Sequence, residues 1–409
     1  MMKTSRRARS AVIAAAAVAV TTLLLSGCTG RQAANEPPAE PQDDSPIVIG
    51  ASWPQSGPLA AAAAGLHGFE AYIEMTNAEG GIDGREIKLV TADDAYDPAR
   101  LADNQRSFVE KEGAIAVVNF GGIAVPGRPY LNDKKVAQIA LAGQTPLSDV
   151  ENFPYTRAFW PDVVWEGQLH AQWLQENRPD AVVGFIGFNN DLSESHIAGL
   201  EAGGLTPAQV AMVPPGTADL TAQVSQFQAA GVDTVIINIG APTIGAVTKY
   251  MDEIGYEPTL LLAGNMADFV TVVDPAGADA VVDAYAFHWG KDPADPKNAE
   301  DAATQTFIEV MTEYGYESDT RQALAFNGYG LGAALVEALN NAPELTADGL
   351  LEAWDALKDT ENPYLQDGMM LDAGFGGRLI FQVQLTQFDG ETWVPQGDVI
   401  DLRDLGIVE

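Results

Sequence analysis

One cysteine, Cys28, serves the whole 409-residue chain, so no intramolecular disulfide and no cysteine-built metal site can form. Histidine is scarce too. His67, His170, His196 and His288 lie far apart and make neither an HxxH nor an HExxH pair, so no metal site is expected. Positive charge is the third shortage: 22 Lys+Arg stand against 57 Asp+Glu, a formal net charge of -35. Such a chain repels nucleic acid and anionic surfaces, and no basic stripe offsets the effect. A Gly-x-Ser-x-Gly elbow and a Gly-x-x-x-x-Gly-Lys-Ser/Thr phosphate loop are both missing. Acidic pairs are so numerous that they carry no weight, so no catalytic residue is assigned and the chain is read as a non-enzyme. The N-terminal apolar run, Ala11 to Leu25, is too short to span a bilayer.

That run follows Lys3, Arg6, Arg7 and Arg9 and ends in Leu25-Ser26-Gly27-Cys28. A positive segment, a short apolar segment and small residues before a cysteine resemble the lipobox of bacterial lipoproteins. The resemblance implies that residues 1–27 are a lipoprotein signal peptide and that the Cys28 thiol takes the lipid. The protein is then exported and held on the outer face of the cytoplasmic membrane, or in the periplasm. Residues 28–46, rich in Ala, Pro, Glu, Gln and Asp without apolar periodicity, read as a flexible tether.

The rest is long enough for two domains, and 46% hydrophobic against 19% charged residues supplies their cores. Short β-rich runs alternate with helical patterns. Strands are expected at Ile47-Ser52, Ile87-Ala92, Ile115-Phe120, Val136-Ala142, Ala181-Phe188, Val210-Val213, Thr234-Ile239, Thr259-Ala263 and Val281-Phe287. Leu66, Phe69 and Ile73 mark one intervening helix, and Leu220, Val224 and Phe227 another. Gly80-Gly81 stops the first helix, and Asp97-Pro98 caps and opens the next. This alternation predicts an α/β fold of parallel-rich sheets with helices on both faces. The rhythm breaks at Phe153-Gln168, read as a crossing between lobes, and a second crossing is expected at Phe287-Pro293. Helices from Ala302 to Lys358 precede a hairpin turning at Asp389-Gly390.

Ligands of such sheets sit beyond the carboxyl ends of the strands. The loops that matter are therefore Trp53-Pro58, Gly121-Pro126, Gly143-Pro146, Asn189-Ser193, Gly240-Thr243 and Gly264-Ala267. Asp93, Asp94 and Asp97 lack the spacing of a calcium loop and are read as caps.

Ile47-Val-Ile-Gly50, Pro54-Gln-Ser-Gly-Pro58, Gly80-Gly-Ile-Asp-Gly-Arg85 and Asp93-Asp-Ala-Tyr-Asp-Pro98 open a longer pattern. It continues through Arg128-Pro-Tyr-Leu-Asn132, Asn152-Phe-Pro-Tyr-Thr156, Asp219-Leu-Thr221 and Gln387-Phe-Asp-Gly-Glu-Thr-Trp-Val-Pro395. In order, from Ile47 to Asp401, these resemble the branched-chain-amino-acid-type (type I) periplasmic substrate-binding proteins of ABC transporters. The resemblance implies two lobes, three hinge crossings and closure around a small-molecule solute. Lobe 1 is expected at 47–162 plus 288–364 and lobe 2 at 163–287 plus 365–409. It also implies delivery to an ABC permease and its ATPase subunits, with no cofactor, by a monomer. A ligand-sensing module for a membrane signalling partner needs the same cleft and stands as the alternative.

By the same resemblance, a ligand carboxylate meets the backbone of Gly122, Ile123 and Ala124, the backbone of Gly143 and Gln144, and the Thr145 hydroxyl. Asp191 and Leu192 face it from the second lobe, with Trp53, Ser56 and Gly240 completing the loops. Relatives place an acid for a ligand ammonium where this chain has Asn265 and Met266. An amide cannot neutralise a desolvated ammonium. The expected ligand is thus a small organic solute, amino acid-like, a carboxylate or an amide. A carboxylate or amide without the amine is favoured, and a hydrophobic amino acid stays open with Asp191 as partner for its amine.

Overall fold

The computed structural model describes residues 44–408, apart from 215, 216, 218, 241, 242 and the side chain of 265. The first sheet comes from β1 (Ile47–Trp53), β2 (Ile87–Asp93), β3 (Ala116–Phe120), β4 (Ala137–Leu141) and β5 (Thr156–Ala158). They run in the order β2-β1-β3-β4-β5, every pair parallel. Between them run α1 (Ala63–Ala78), α2 (Pro98–Ser107) and α3 (Ala124–Lys134). β4 is buried at all five positions, as a strand covered by helices on both faces must be. Asp97 caps α2 by accepting from the Ala99 and Arg100 N–H groups, with Pro98 at the first helical position.

The chain then passes to the second sheet through α4 (Val163–Asn177), β6 (Val183–Phe188), α5 (Asp191–Ala202), β7 (Gln209–Val213), α6 (Thr221–Ala229) and β8 (Thr234–Asn238). α7 (Thr243–Glu253), β9 (Thr259–Leu262), the one-turn α8 (Asp274–Ala276) and β10 (Tyr285–His288) follow. After β10 the chain returns to the first sheet as α9 (Ala302–Glu313), α10 (Ala323–Asn341) and α11 (Ala347–Ala356). It crosses a third time to add β11 (Gln382–Phe388), β12 (Trp393–Pro395) and β13 (Ile400–Asp401). The second sheet reads β12-β11-β10-β9-β8-β6-β7, with β13 also on β11. β11 and β12 form the antiparallel hairpin expected around Asp389-Gly390.

Two sheets and three passages give the two-lobed α/β architecture the alternation predicts. Two local readings are corrected. Phe153-Gln168 is not wholly a crossing, because Thr156–Ala158 pairs with β4 before the chain leaves at Phe159. Three residues between Pro154 and Pro161 are too few to show a strand period. The expected strand at Val281 begins only at Tyr285, because Asp283 adopts φ 63, a left-handed backbone that breaks an extended run.

α10 enters the protein by backbone contact with α1. A Cβ at Gly68 would stand 1.8 Å from the Ala325 carbonyl oxygen, and one at Gly328 would stand 1.8 Å from that of Gly65. Only glycine allows this approach. It fixes the N-terminal turn of α10 at the mouth between the sheets.

Candidate ligand-binding cleft

Strand ends of both sheets and all three passages meet around a cavity of about 230 Å³. Its aromatic wall is Phe120 from the end of β3, Trp160 from the first passage, Trp289 from the second, Tyr364 from the third and Trp393 from β12. Trp160 is held in place. Its ring stands edge-on to Phe120 at 6.1 Å, and its Nε1 donates to Asn327 Oδ1 of α10 at 2.7 Å. The turn after β9 slides under Trp289 at Gly264, where a Cβ would lie 2.6 Å from the ring.

Charge enters from two directions. Asp268 follows the β9 turn, and Asp292 lies on the second passage; both line the cavity. Asp292 Oδ2 accepts the Phe269 N–H at 2.7 Å and Oδ1 accepts the Ala294 N–H at 2.8 Å. Burial, and then the charge of Asp268, push the Asp292 carboxyl up to about 7. Asp268 is also raised, chiefly by burial, although it caps the Thr271 N–H at 2.8 Å. The cavity's lysines are engaged. Lys291 bridges Asp301 at 2.7 Å and Asp367 at 2.8 Å, and Lys297 donates to the Trp393 carbonyl at 3.0 Å, 3.8 Å from Asp295. His288, bonded to Thr386 at 3.0 Å, is pushed down to about 3 by burial and stays neutral.

Trp160 and Trp289 also bound a second, smaller space of about 20 Å³ with Gly143, Asp162, Glu166 and Leu192. Glu166, on α4, accepts the Gly264 N–H at 2.6 Å and so ties α4 to the β9 turn. Burial pushes it up to about 7. Behind it, His170 and His196 share a hydrogen bond of 2.9 Å and are both held neutral by burial.

A sequence model described as "Periplasmic binding protein" matches residues 46–392. The chain belongs to that family, in its type I, branched-chain-amino-acid form. It is 27% identical to the "Amino acid binding protein" of Pseudomonas aeruginosa, over 76% of this chain and 87% of that one. It is 25% identical to "Leu/Ile/Val-binding protein homolog 3" of Brucella melitensis, over 53% of this chain and only 60% of that protein's length. Its fold superposes with a TM-score of 0.77 on a branched chain amino acid ABC transporter protein of Thermus thermophilus with bound valine. That pair shares 18% identity, over 88% of this chain and 98% of the other.

Within this periplasmic binding protein the expected site residues fall into groups. Gly143 and Leu192 line the smaller space and Met266 the larger cavity. Gly240 lies beside Met266, where a Cβ would stand 3.7 Å from the sulfur. Gly122 donates its N–H to the Tyr96 hydroxyl at 3.3 Å, and Ile123 and Ala124 are buried at the start of α3. Gln144 is buried against Gly122, with Oε1 unpartnered. The Thr145 hydroxyl donates to Asp162 at 2.7 Å. Trp53 stands behind the wall: fully buried, it packs on Phe120 at 5.4 Å and donates to the Ala62 carbonyl at 2.7 Å. Ser56 is exposed and bonds Asp93 at 2.5 Å. Asp191 is exposed in the first turn of α5. The Tyr96 hydroxyl is raised chiefly by burial, to which the charge of Asp191 adds a smaller part. Cys28 and the Asn265 side chain lie outside the described residues.

Sequence reasoning missed Asp268, Asp292, Trp160 and Trp289. Asp268 stands three positions beyond Asn265 and was within reach of the loop argument. Asp292 and the two tryptophans lie in passages read as connections, where no strand period marks them.

Proposed function

We propose that this protein is an exported, lipid-anchored receptor that captures a small organic solute of amino-acid size and hands it to an ABC importer. Lobe 1 (47–162 plus 288–364) and lobe 2 (163–287 plus 365–409) close around the solute, and Cys28 carries the lipid. The single observation behind this reading is the cavity walled jointly by strand ends of both sheets and by the passages between them. A ligand touching both lobes has contacts in the closed state that it lacks in the open one, and that difference drives closure. The cavity's volume is below that of drug-sized sites, which suits a small metabolite. Of the expected site residues, Met266 lines this cavity and Gly143 and Leu192 the smaller space beside it. Gly122, Ile123, Ala124, Gln144 and Thr145 lie in lobe 1 outside both linings and would reach the solute on closure.

Deletion of the gene with its solute identified, followed by radiolabelled uptake, tests the transport role. Lost uptake, restored by the wild-type chain, supports it. Intact uptake with a lost transcriptional response replaces it with the sensing role.

A further inference from the structure

Resting on the receptor reading, we propose that the cavity selects an organic cation, an amine or quaternary ammonium on an apolar body, seated between Asp268 and Asp292 against the tryptophan wall. Neither carboxylate forms an ion pair among the described residues, although both line the cavity. The ammonium groups nearby are engaged: Lys291 on Asp301 and Asp367, Lys297 on Asp295 and the Trp393 carbonyl. A carboxylate ligand would thus meet Asp268, Asp292 and Asp295, with Lys297 keeping the most donors to spare among the described lining cations. A cationic ligand meets two acceptors with lone pairs to spare, because each Asp292 oxygen accepts one backbone N–H and has room for more. Phe120, Trp160, Trp289, Tyr364 and Trp393 add the ring faces that attract a desolvated cation.

An amine-bearing ligand departs from the expectation drawn from Asn265, of a ligand without an amine, because Asp268 and Asp292 bring negative charge to the cavity.

Linkage gives a signature. Asp268, Asp295, Lys297, Lys291, His288 and Tyr364 are the titratable groups around Asp292. His288 is neutral. Burial first, and then the charges of Asp268 and Asp295, raise Asp292, while Lys297 feels the charges of Asp295 and Asp292. In the empty cavity Asp292 holds part of a proton near neutral pH. A cation beside it favours the ionised form, so the bound state carries fewer protons than the free one. Affinity therefore rises from about pH 5.5 to about pH 7.5, then levels off.

The test is calorimetric titration of the refolded 44–409 chain with four solutes sharing one alkyl body: leucinamide, leucine, 4-methylpentanamide and 4-methylpentanoate. Choline and phenethylamine extend the cationic set. Cations should bind more tightly than the neutral and anionic members and release protons, seen as a buffer-dependent heat. Asp292→Asn and Asp268→Asn, read separately in case one misfolds, should each weaken cation binding about thirtyfold. Equal or tighter binding of the pentanoate or pentanamide, or cation binding indifferent to both variants, overturns the cation assignment and leaves the receptor reading standing. Binding by none of the six, three of them cationic, likewise overturns the cation assignment; the receptor reading fails only on the separate uptake test.

Discussion

The Arg378 guanidinium and the Asp162 carboxylate form a fully buried ion pair at 3.4 Å, and the pair ties the third passage to the first. Arg378 also donates to Ser148 Oγ at 2.7 Å, to the Gln144 carbonyl at 2.9 Å and to the Trp160 carbonyl. Asp162 in turn accepts the Thr145 hydroxyl and the Val164 N–H that starts α4. One arginine thus holds the loop after β4, the base of Trp160 and the first turn of lobe 2 together.

Breaking this pair from one side leaves the other charge buried. Arg378→Met or Asp162→Asn is expected to cost roughly 3–5 kcal/mol in urea unfolding, because an uncompensated buried ion is worse than none. Losses below about 1 kcal/mol would mean that water reaches the site and that the hinge is not anchored there.

The α1–α10 crossing gives a second expectation. At Gly328 a methyl group has nowhere to go but into the Gly65 carbonyl. Gly328→Ala should lower the melting temperature, by an amount equivalent to about 3 kcal/mol or more. It should also weaken ligand binding, since α10 carries Asn327 and Leu324 to the cavity. An unchanged melt would show that the helices separate freely.

Glu166 makes a pH-dependent prediction. Its folded pKa of about 7 is above its ordinary value of 4.5, so between these values the folded state holds more protons than the unfolded one. Stability from this group is full at low pH and is lost as pH rises through about 7. Glu166→Gln keeps an acceptor for the Gly264 N–H and never ionises. Its stability relative to wild type should therefore improve by roughly 2–3 kcal/mol between about pH 5 and about pH 8. His170 and His196 act the other way: kept neutral by burial, they withdraw stability as pH falls below about 6.5. They are common to both proteins and cancel in the comparison. A pH-independent difference would contradict the burial of the Glu166 charge.

Lipidation has a simple readout. Cys28→Ser should move the protein from the membrane pellet to the soluble exported fraction and remove its incorporation of labelled palmitate. Continued membrane association of the variant would rule out the lipid anchor.

Most of the fold was legible because buried parallel strands are continuous apolar runs and their helices stop at Gly and start at Asp-Pro. The runs at Ile47, Val136 and Thr234 are of this kind. β5 escaped because three residues show no period, and β10 was drawn too long because Val281 and Val282 are β-formers that a left-handed Asp283 cuts off. The cleft was less legible. Strand-end loops point to Gly143, Leu192 and Met266. Asp292, Trp160 and Trp289 reach the cavity from the passages, and only the meeting of two sheets reveals that connecting segments are also walls.

The most direct test of the central claim is a melting-temperature titration with the tightest solute found, for wild type and Trp160→Ala, each measured against its own ligand-free melt. At a hundred times Kd the wild type should gain about 2.7 kcal/mol. Trp160→Ala, which removes the wall shared by both spaces, should gain almost nothing. An undiminished shift in Trp160→Ala would place the solute outside this cleft and contradict the account.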